Sequence, residues 1–443
     1  MAAGTMSARA GLGLCLALGA ALGPATARAE LLRPDATHSL AEVVRAARDG
    51  DVVEVPPGRW SGPLRIESRI TLRGAGGTID GGGHGTVITV VAPDVTLDGL
   101  DVSGSGVDLG APDSGIWTAP TAVGVTVLRS HVHGCAFGIY VQESDHARVE
   151  ENVVEPRSDL FIADRGNGIH FFDAEHVTIA RNHVSGGRDG LFIAATDDSL
   201  IEDNVIEHTR YAIHYMWSHR NVLRGNIVRE NLSGFALMQS HHLLVEGNLV
   251  VHNTRAGMLL RDGENCMVRQ NRILANGQGL FVYNSQHETL EANLLLHNDI
   301  GAKLWGSLIT GGVFTRNAFV GNGRQIVYVG GHDMVWGEDA PGNHFSDYLG
   351  WDQDRDGAGD RPYRVDGFSS MLVERFPAAV LLLRSPALEL LSHLEERMPV
   401  LRTPTVVDRA PRVRDETDVD HALPDTEASL SRITPRDGGA RYQ

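Results

Sequence analysis

The chain has 443 residues and a formal net charge of -17, with 42% hydrophobic and 21% charged residues. Its 39 Lys and Arg are scattered and form no basic stripe, which argues against nucleic acid as a partner. No apolar run reaches the length of a membrane span.

Residues 1–29 read as an export signal. Arg9 is the early charge, Leu12 to Leu22 the apolar stretch, and Ala27-Arg28-Ala29 the cleavage motif. Residues 30–69 are expected to form an N-terminal cap on a longer, repetitive body. Ser39 to Arg48 predicts a short amphipathic helix, with Ser39 as N-cap and Glu42 completing a capping box. A strand, Asp51 to Val55, comes next.

A beat of about 22 residues dominates residues 70–345. Asn152, Asn182, Asn204, Asn226, Asn248, Asn271, Asn293 and Asn317 recur at spacings of 30, 22, 22, 22, 23, 22 and 24. A parallel column holds Gly138, Gly168, Gly190, Ala212, Gly234, Gly257, Gly279 and Gly301. Two columns with one period mean a solenoid, in which each coil buries its apolar face only against its neighbours. Short runs such as Val177-Thr178-Ile179, set between Gly, Asn and Asp turns, have strand character all round the coil. The expected fold is therefore all-β, a right-handed parallel β-helix. A leucine-rich repeat shares the period but not the consensus.

The asparagines have a structural task, because stacked amides satisfy backbone groups that a repeated turn leaves unpaired. Asn231, Asn253, Asn276, Asn298 and Asn322 do the same at a second corner. Two coils carry insertions, Gly104 to Pro120 and Pro156 to Arg165, in the same Asn-to-Gly segment. Both should project from one edge, where recognition loops are usual. Cys135 and Cys266 lie five to six coils apart, roughly 25 Å, too far to pair.

Counting from the glycine column, positions +1 (Ile139, Ile169, Leu191, Ile213) and +3 (Val141, Phe171, Ile193, Tyr215) should fill the core. Positions +2 and +4 then face outward, and they are rich in aromatic residues and methionine. Such a stripe marks a binding surface unless another segment covers it. Within it His214 and Met216 share a strand and Met238 stacks on Met216. Imidazole and thioether donors suit Cu(I). His170, two coils away, could receive the ion without sharing its shell. A lone His-x-Met also arises by chance, and His332-x-Met334 is a weaker echo. His146, His176, His242 and His287 form a further column, read as solvated turn residues.

Residues 346–402 hold an Asp-rich loop and a helical segment, Pro377 to Met398. Asp352, Asp354, Asp356 and Asp360 occupy positions 1, 3, 5 and 9 of a calcium-type loop, but Tyr363 stands where its glutamate belongs. The expected role of calcium is to close the last coil. Residues 403–443 are polar and expected to be disordered.

The segment Gly342-Asn343-His344-Phe345-Ser346-Asp347-Tyr348, running into Trp351-Asp352 and Arg361-Pro362-Tyr363, resembles the NosD family. These are periplasmic maturation proteins for the copper enzyme nitrous oxide reductase. The likeness includes the export signal and the coils and extends to about residue 400. It implies a periplasmic chain, without enzymatic turnover, that sits on an ABC transporter's permease and ATPase at the inner membrane. It also implies copper received from a periplasmic chaperone and passed towards nitrous oxide reductase. It brings no fixed ligand motif, so the copper ligands rest on register alone.

The competing reading is a carbohydrate-active enzyme, a polyuronate lyase, hydrolase or epimerase, which needs paired carboxylates or a base beside calcium. Gly83-His84-Gly85 lies in an early coil without aspartates in register. Asp164, Arg165, Arg188 and Asp189 are the remaining candidates, expected in turns. A purely adhesive β-helix is the third reading.

Overall fold

The computed structural model describes residues 29–330, 334–337, 342–365, 376–382, 385–386, 390 and 406–414. Strands come in threes, and each member of a trio joins a different sheet. Val52–Val55 enters a 14-stranded sheet (sheet 1), Gly58–Ser61 a 13-stranded sheet (sheet 2) and Leu64–Ile66 a 12-stranded sheet (sheet 3). Within these three sheets neighbouring strands pair in parallel, each with its counterpart one coil on, as Val222–Arg224 does with Leu244–Glu246. The fold is a parallel β-solenoid, as the two columns implied.

Stacking starts before residue 70. Val52–Val55 pairs with Thr71–Gly74, and Leu31–Leu32 covers its outer edge. These first coils escaped the asparagine count because that column begins at Asn152. The helix is Leu40–Ala46, with the Ser39–Glu42 capping box formed and Leu40 and Val44 buried. It plugs the apolar end of the stack.

Inward residues of all three sheets merge into one core running the length of the solenoid. The glycine column has a steric cause. A Cβ on Gly168 would lie 2.4 Å from Val184 Cγ1 and 2.7 Å from the Gly190 carbonyl oxygen. Beside it runs the main ladder. The Asn226 Oδ1 accepts from the Asn204 backbone N–H (3.1 Å) and Nδ2 (2.9 Å), while Asn226 Nδ2 donates to the Ile201 carbonyl and to Asn248 Oδ1, both at 3.0 Å. Each coil repeats this, so buried corner groups are paired along the stack.

Regular pairing continues past Phe319: Arg324–Val329, Val335–Trp336 and His344–Phe345 still stack in register. The ladder then ends on Asp408, whose Oδ2 accepts from the Asn343 backbone N–H (2.8 Å) and Nδ2 (2.9 Å). Residues 406–414 are thus not a disordered tail. Val406–Asp408 pairs antiparallel with Tyr363–Val365, and the Arg412 Nη2 donates to the Arg316 carbonyl at 2.8 Å. Their polar composition serves to satisfy the open end of the last coil. Tyr363 stacks on Phe345 (3.7 Å between ring centroids) and Phe345 on Phe319 (5.1 Å), sealing the core. Of the helix expected from Pro377 to Met398, a 3-10 turn at Pro377–Leu382 is seen. The rest of that helix lies largely outside the described residues, as do the signal and the segment after residue 414. No helix among the described residues is long and apolar enough to cross a membrane.

Candidate functional site

Sheet 3 positions the stripe, and its register matches the count from the glycine column. Ile213 and Tyr215 point into the core and are fully buried. His214 and Met216 therefore share the outer face, two residues apart on Tyr211–Met216. Met216 pairs in register with Met238, and His170 is linked to His214 through Phe192. The structure thus places His214, Met216 and Met238 at adjoining outward positions of one sheet and holds His170 two coils away.

The face is less open than an outward register alone suggests. His214, Ala236 and Lys303 are buried, whereas Phe172, Arg261 and Trp305 are exposed. The reason is crowding by rings from neighbouring coils. Tyr140, His170, Phe192 and His214 form a continuous ladder with centroid separations of 4.1, 4.7 and 4.9 Å, and Tyr211 lies 4.9 Å from His214. Met216 and Met238, two residues further along their strands, stay partly accessible.

Beneath His214 lies a carboxylate. Asp189 opens the strand Asp189–Asp197 and is fully buried, not placed in an open turn. Its Oδ2 is 2.9 Å from His214 Nδ1, and it accepts a two-pronged contact from Arg210, Nε to Oδ1 at 2.8 Å and Nη2 to Oδ2 at 2.7 Å. Arg188 adds its Nε at 3.8 Å from Oδ2. Burial pushes the Asp189 carboxyl up, but the His214 and Arg210 hydrogen bonds outweigh it and hold the group below its ordinary range. A carboxylate on Nδ1 fixes the tautomer and orientation of a histidine and directs Nε2 towards ligation. Burial, followed by the Arg188 guanidinium, pushes His170 down to about 3, so its ring is neutral and able to bind a metal at physiological pH.

His214 Nε2 and the Met216 and Met238 sulfurs are donor types that a soft metal ion takes, and the neutral His170 stands next along the ring ladder. Beside this patch a groove of about 640 Å³ is lined by Tyr211, Leu259, Gln278, Phe281 and Arg324 among others.

Asp189 and Arg210 were the missing half of this site in the sequence. Asp189 was visible only as a candidate for sugar chemistry, because its partner His214 stands 25 residues away. Asp164, the other carboxylate of that reading, sits exposed in the 3-10 turn Ile162–Asp164, within the second insertion. Arg165 donates its Nε to the Leu160 carbonyl of the same insertion at 2.7 Å.

In the Asp-rich loop, carboxylate oxygens of Asp352, Asp354 and Asp356 lie within 4.8 Å of one another. Asp360 is not in this group. Its Oδ2 accepts from the Gln353 backbone N–H at 2.7 Å. Asp352 Oδ1 is buried with no hydrogen-bond partner, an atom suited to a hard cation. His332 lies outside the described residues. Cys135 and Cys266 are free and buried, and burial pushes both thiols up, so neither is a reactive thiolate.

The chain is similar to known proteins at the level of family and of fold. A family profile described as "Periplasmic copper-binding protein (NosD)" matches residues 155–350. A protein of Pseudomonas aeruginosa named probable ABC transporter binding protein NosD is 34% identical over 420 residues, covering 92% of this chain and 96% of its own. A Stutzerimonas stutzeri protein of the same name is 33% identical over 385 residues, with coverages of 81% and 86%. Among solved structures, a family 28 exopolygalacturonase of Yersinia enterocolitica superposes with a TM-score of 0.56 at 11% identity, over 71% of this chain and 79% of that one. That likeness is one of fold alone. With identity sustained along almost its whole length, the chain belongs to the NosD family of periplasmic copper-binding proteins.

Proposed function

We propose that this chain is a copper-handling maturation factor of the periplasm. It works with an ABC transporter in assembling the copper centres of nitrous oxide reductase. The observation that carries this reading is the Asp189-oriented His214 set beside the Met216–Met238 pair on one face of a rigid sheet. Copper is cargo here, taken from a periplasmic chaperone and released to the reductase. A partly accessible thioether pair suits exchange better than a closed cage would. The names of the relatives support association with a transporter, whose ATPase would supply the energy and whose permease would hold the chain at the inner membrane.

The two insertions supply docking surfaces. Val107 in the first and Leu160 and Phe161 in the second are exposed apolar residues on these insertions. The segment after residue 346 closes the stack and is the part we assign to the permease. A calcium ion on Asp352, Asp354 and Asp356 would hold that closure by using the unpartnered Asp352 oxygen.

An anaerobic Cu(I) competition titration tests the copper assignment, with the parent beside a His214→Ala, Met216→Ala, Met238→Ala variant. The expected result is one tightly held ion in the parent and none in the variant. Equal binding by both would remove copper from this face. Cleavage of polyuronates by the purified protein would favour the sugar-enzyme reading instead.

A further inference from the structure

The outer face of sheet 2 carries a second constellation, of different chemistry. His131 and His133 lie on one strand, His131–His133, with Val132 between them buried in the core. Both imidazoles therefore emerge on the same side, and their rings stack at 4.5 Å. Asp101 stands beside them on the preceding coil, paired in register with His131. Its Oδ1 is 3.0 Å from His133 Nε2 and 3.9 Å from His131 Nδ1. One ligand atom from each of the three lies within 4.8 Å of the other two.

The outer contacts already have the arrangement that a metal site needs. Thr78 donates its hydroxyl to Asp101 Oδ2 at 2.7 Å, which leaves Oδ1 turned to the histidines. Glu155, on the following coil, is 2.8 Å from His131 Nε2, so it holds the far side of that ring and leaves Nδ1 facing Asp101. Carboxylates and hydroxyls behind the ligands fix ring orientation and raise ligand basicity.

An alternative role is a surface ion pair that staples neighbouring coils. That explains part of the pattern, since His183 and Glu207 repeat the His131–Glu155 contact at 3.0 Å two coils along. It does not explain the rest. Among the described residues, a pair of histidines converging on an aspartate occurs once, and exposed pairs of this kind contribute little stability.

We propose that Asp101, His131 and His133 form a binding site for a borderline divalent cation of the Zn²⁺ or Cu²⁺ class, with Glu155 and Thr78 as positioning residues. Two imidazoles and one carboxylate, with no sulfur, select such ions over Cu(I). The site is chemically distinct from the thioether patch on sheet 3. Its position adds a purpose. Asp101–Ser103 runs directly into the first insertion, and Val153–Glu155 directly into the second, with His131–His133 on the coil between. A cation here ties together the roots of both docking loops, so its occupancy orders the surface they present.

Calorimetric titration of the purified chain with Zn²⁺ tests this, using the parent, a His131→Asn, His133→Asn variant, and Glu155→Gln. All of these positions are partly exposed, and the asparagines retain hydrogen-bonding capacity. The expected result is loss of one Zn²⁺ equivalent in the double variant and about tenfold weaker binding in Glu155→Gln. Met216→Leu, Met238→Leu should bind Zn²⁺ as the parent does, so failure here is separable from failure of the copper assignment on sheet 3. The same Zn²⁺ stoichiometry in the parent and the histidine variant, or no Zn²⁺ bound by the parent, overturns the proposal.

Discussion

The asparagine corner and the outer patch of sheet 3 are both built from polar groups held out of water, yet they differ in one respect. The corner repeats, coil after coil, from Asn152 to Asn343. Among the described residues the Asp189–Arg210–His214 group appears once, and the paired methionines beside it once. Every coil must satisfy the same turn, so a structural solution recurs with the period. A ligand needs one place, so a functional solution breaks the period. In a solenoid the unrepeated buried polar group is the informative one.

The corner should be the harder region to alter. Asn226→Ala removes the acceptor for the Asn204 N–H and Nδ2 and strips a donor from the Ile201 carbonyl, all buried. With about 1–3 kcal/mol for each group left unpaired, the expected loss is about 4 kcal/mol, read as a fall in urea midpoint. A change below about 1 kcal/mol would mean that the ladder is ornament and that repetition says nothing about stability.

The sheet 3 group should behave otherwise. Asp189→Ala leaves Arg210 without its carboxylate and should cost about 3 kcal/mol. Pairing it with Arg210→Met should restore most of that loss, because a buried ion pair exchanged for apolar groups is often neutral. No such rescue is open to the asparagines, whose partners include backbone groups that no substitution removes. Equal damage in the single and double variants would class the group as structural.

Glu288 tests the contrast at a separate corner of the coil. It occupies the corner column that holds Asn221 three coils earlier, accepting the Cys266 N–H at 3.1 Å, but its Oε1 is buried and unpartnered. Burial raises its carboxyl from 4.5 to about 8. The folded state then holds a proton that the unfolded chain releases near pH 4.5, so stability is full below that pH and falls as pH rises through about 8. Glu288→Gln should abolish this fall and gain on the order of 2 kcal/mol at pH 9, with little change at pH 4. A parent whose urea midpoint is flat over that interval would show that the carboxyl finds a partner.

The fold was legible because its causes are periodic. The glycines mark a close approach of chains and the asparagines an unpaired turn, and both recur. The site was legible only where register carried it. His214, Met216 and Met238 could be placed on one face by counting, while Asp189 and Arg210 could not be joined to His214. That contact depends on side chains reaching across coils from the starts of two strands. The His131–Asp101–His133 group was missed for a similar reason. His-x-His was visible, but Asp101 lies 32 residues from His133, across a coil lengthened by an insertion. At the C-terminal end a polar composition concealed order, because Asp408 and Arg412 are buried against backbone that only the last coil exposes.

The smallest change in stability should accompany one of the clearest changes in binding. Met216 and Met238 sit partly exposed and pair only with each other and with their strand neighbours. Replacing both with leucine keeps volume and apolar character, and volume-conserving swaps cost less than about 1.5 kcal/mol even in a core. On this face the urea midpoint should move by less than about 1 kcal/mol. Two sulfur donors are lost nonetheless, and leucine offers no lone pair. The Cu(I) competition titration should therefore show binding weakened towards the level of the His214→Ala, Met216→Ala, Met238→Ala variant, while thermal and urea unfolding match the parent. Unfolding and binding that fell together would mean that the methionines are packing residues, and that the broken period on sheet 3 has a mechanical cause. Separation of the two would place the function of the face in its sulfur atoms, with the fold indifferent to them.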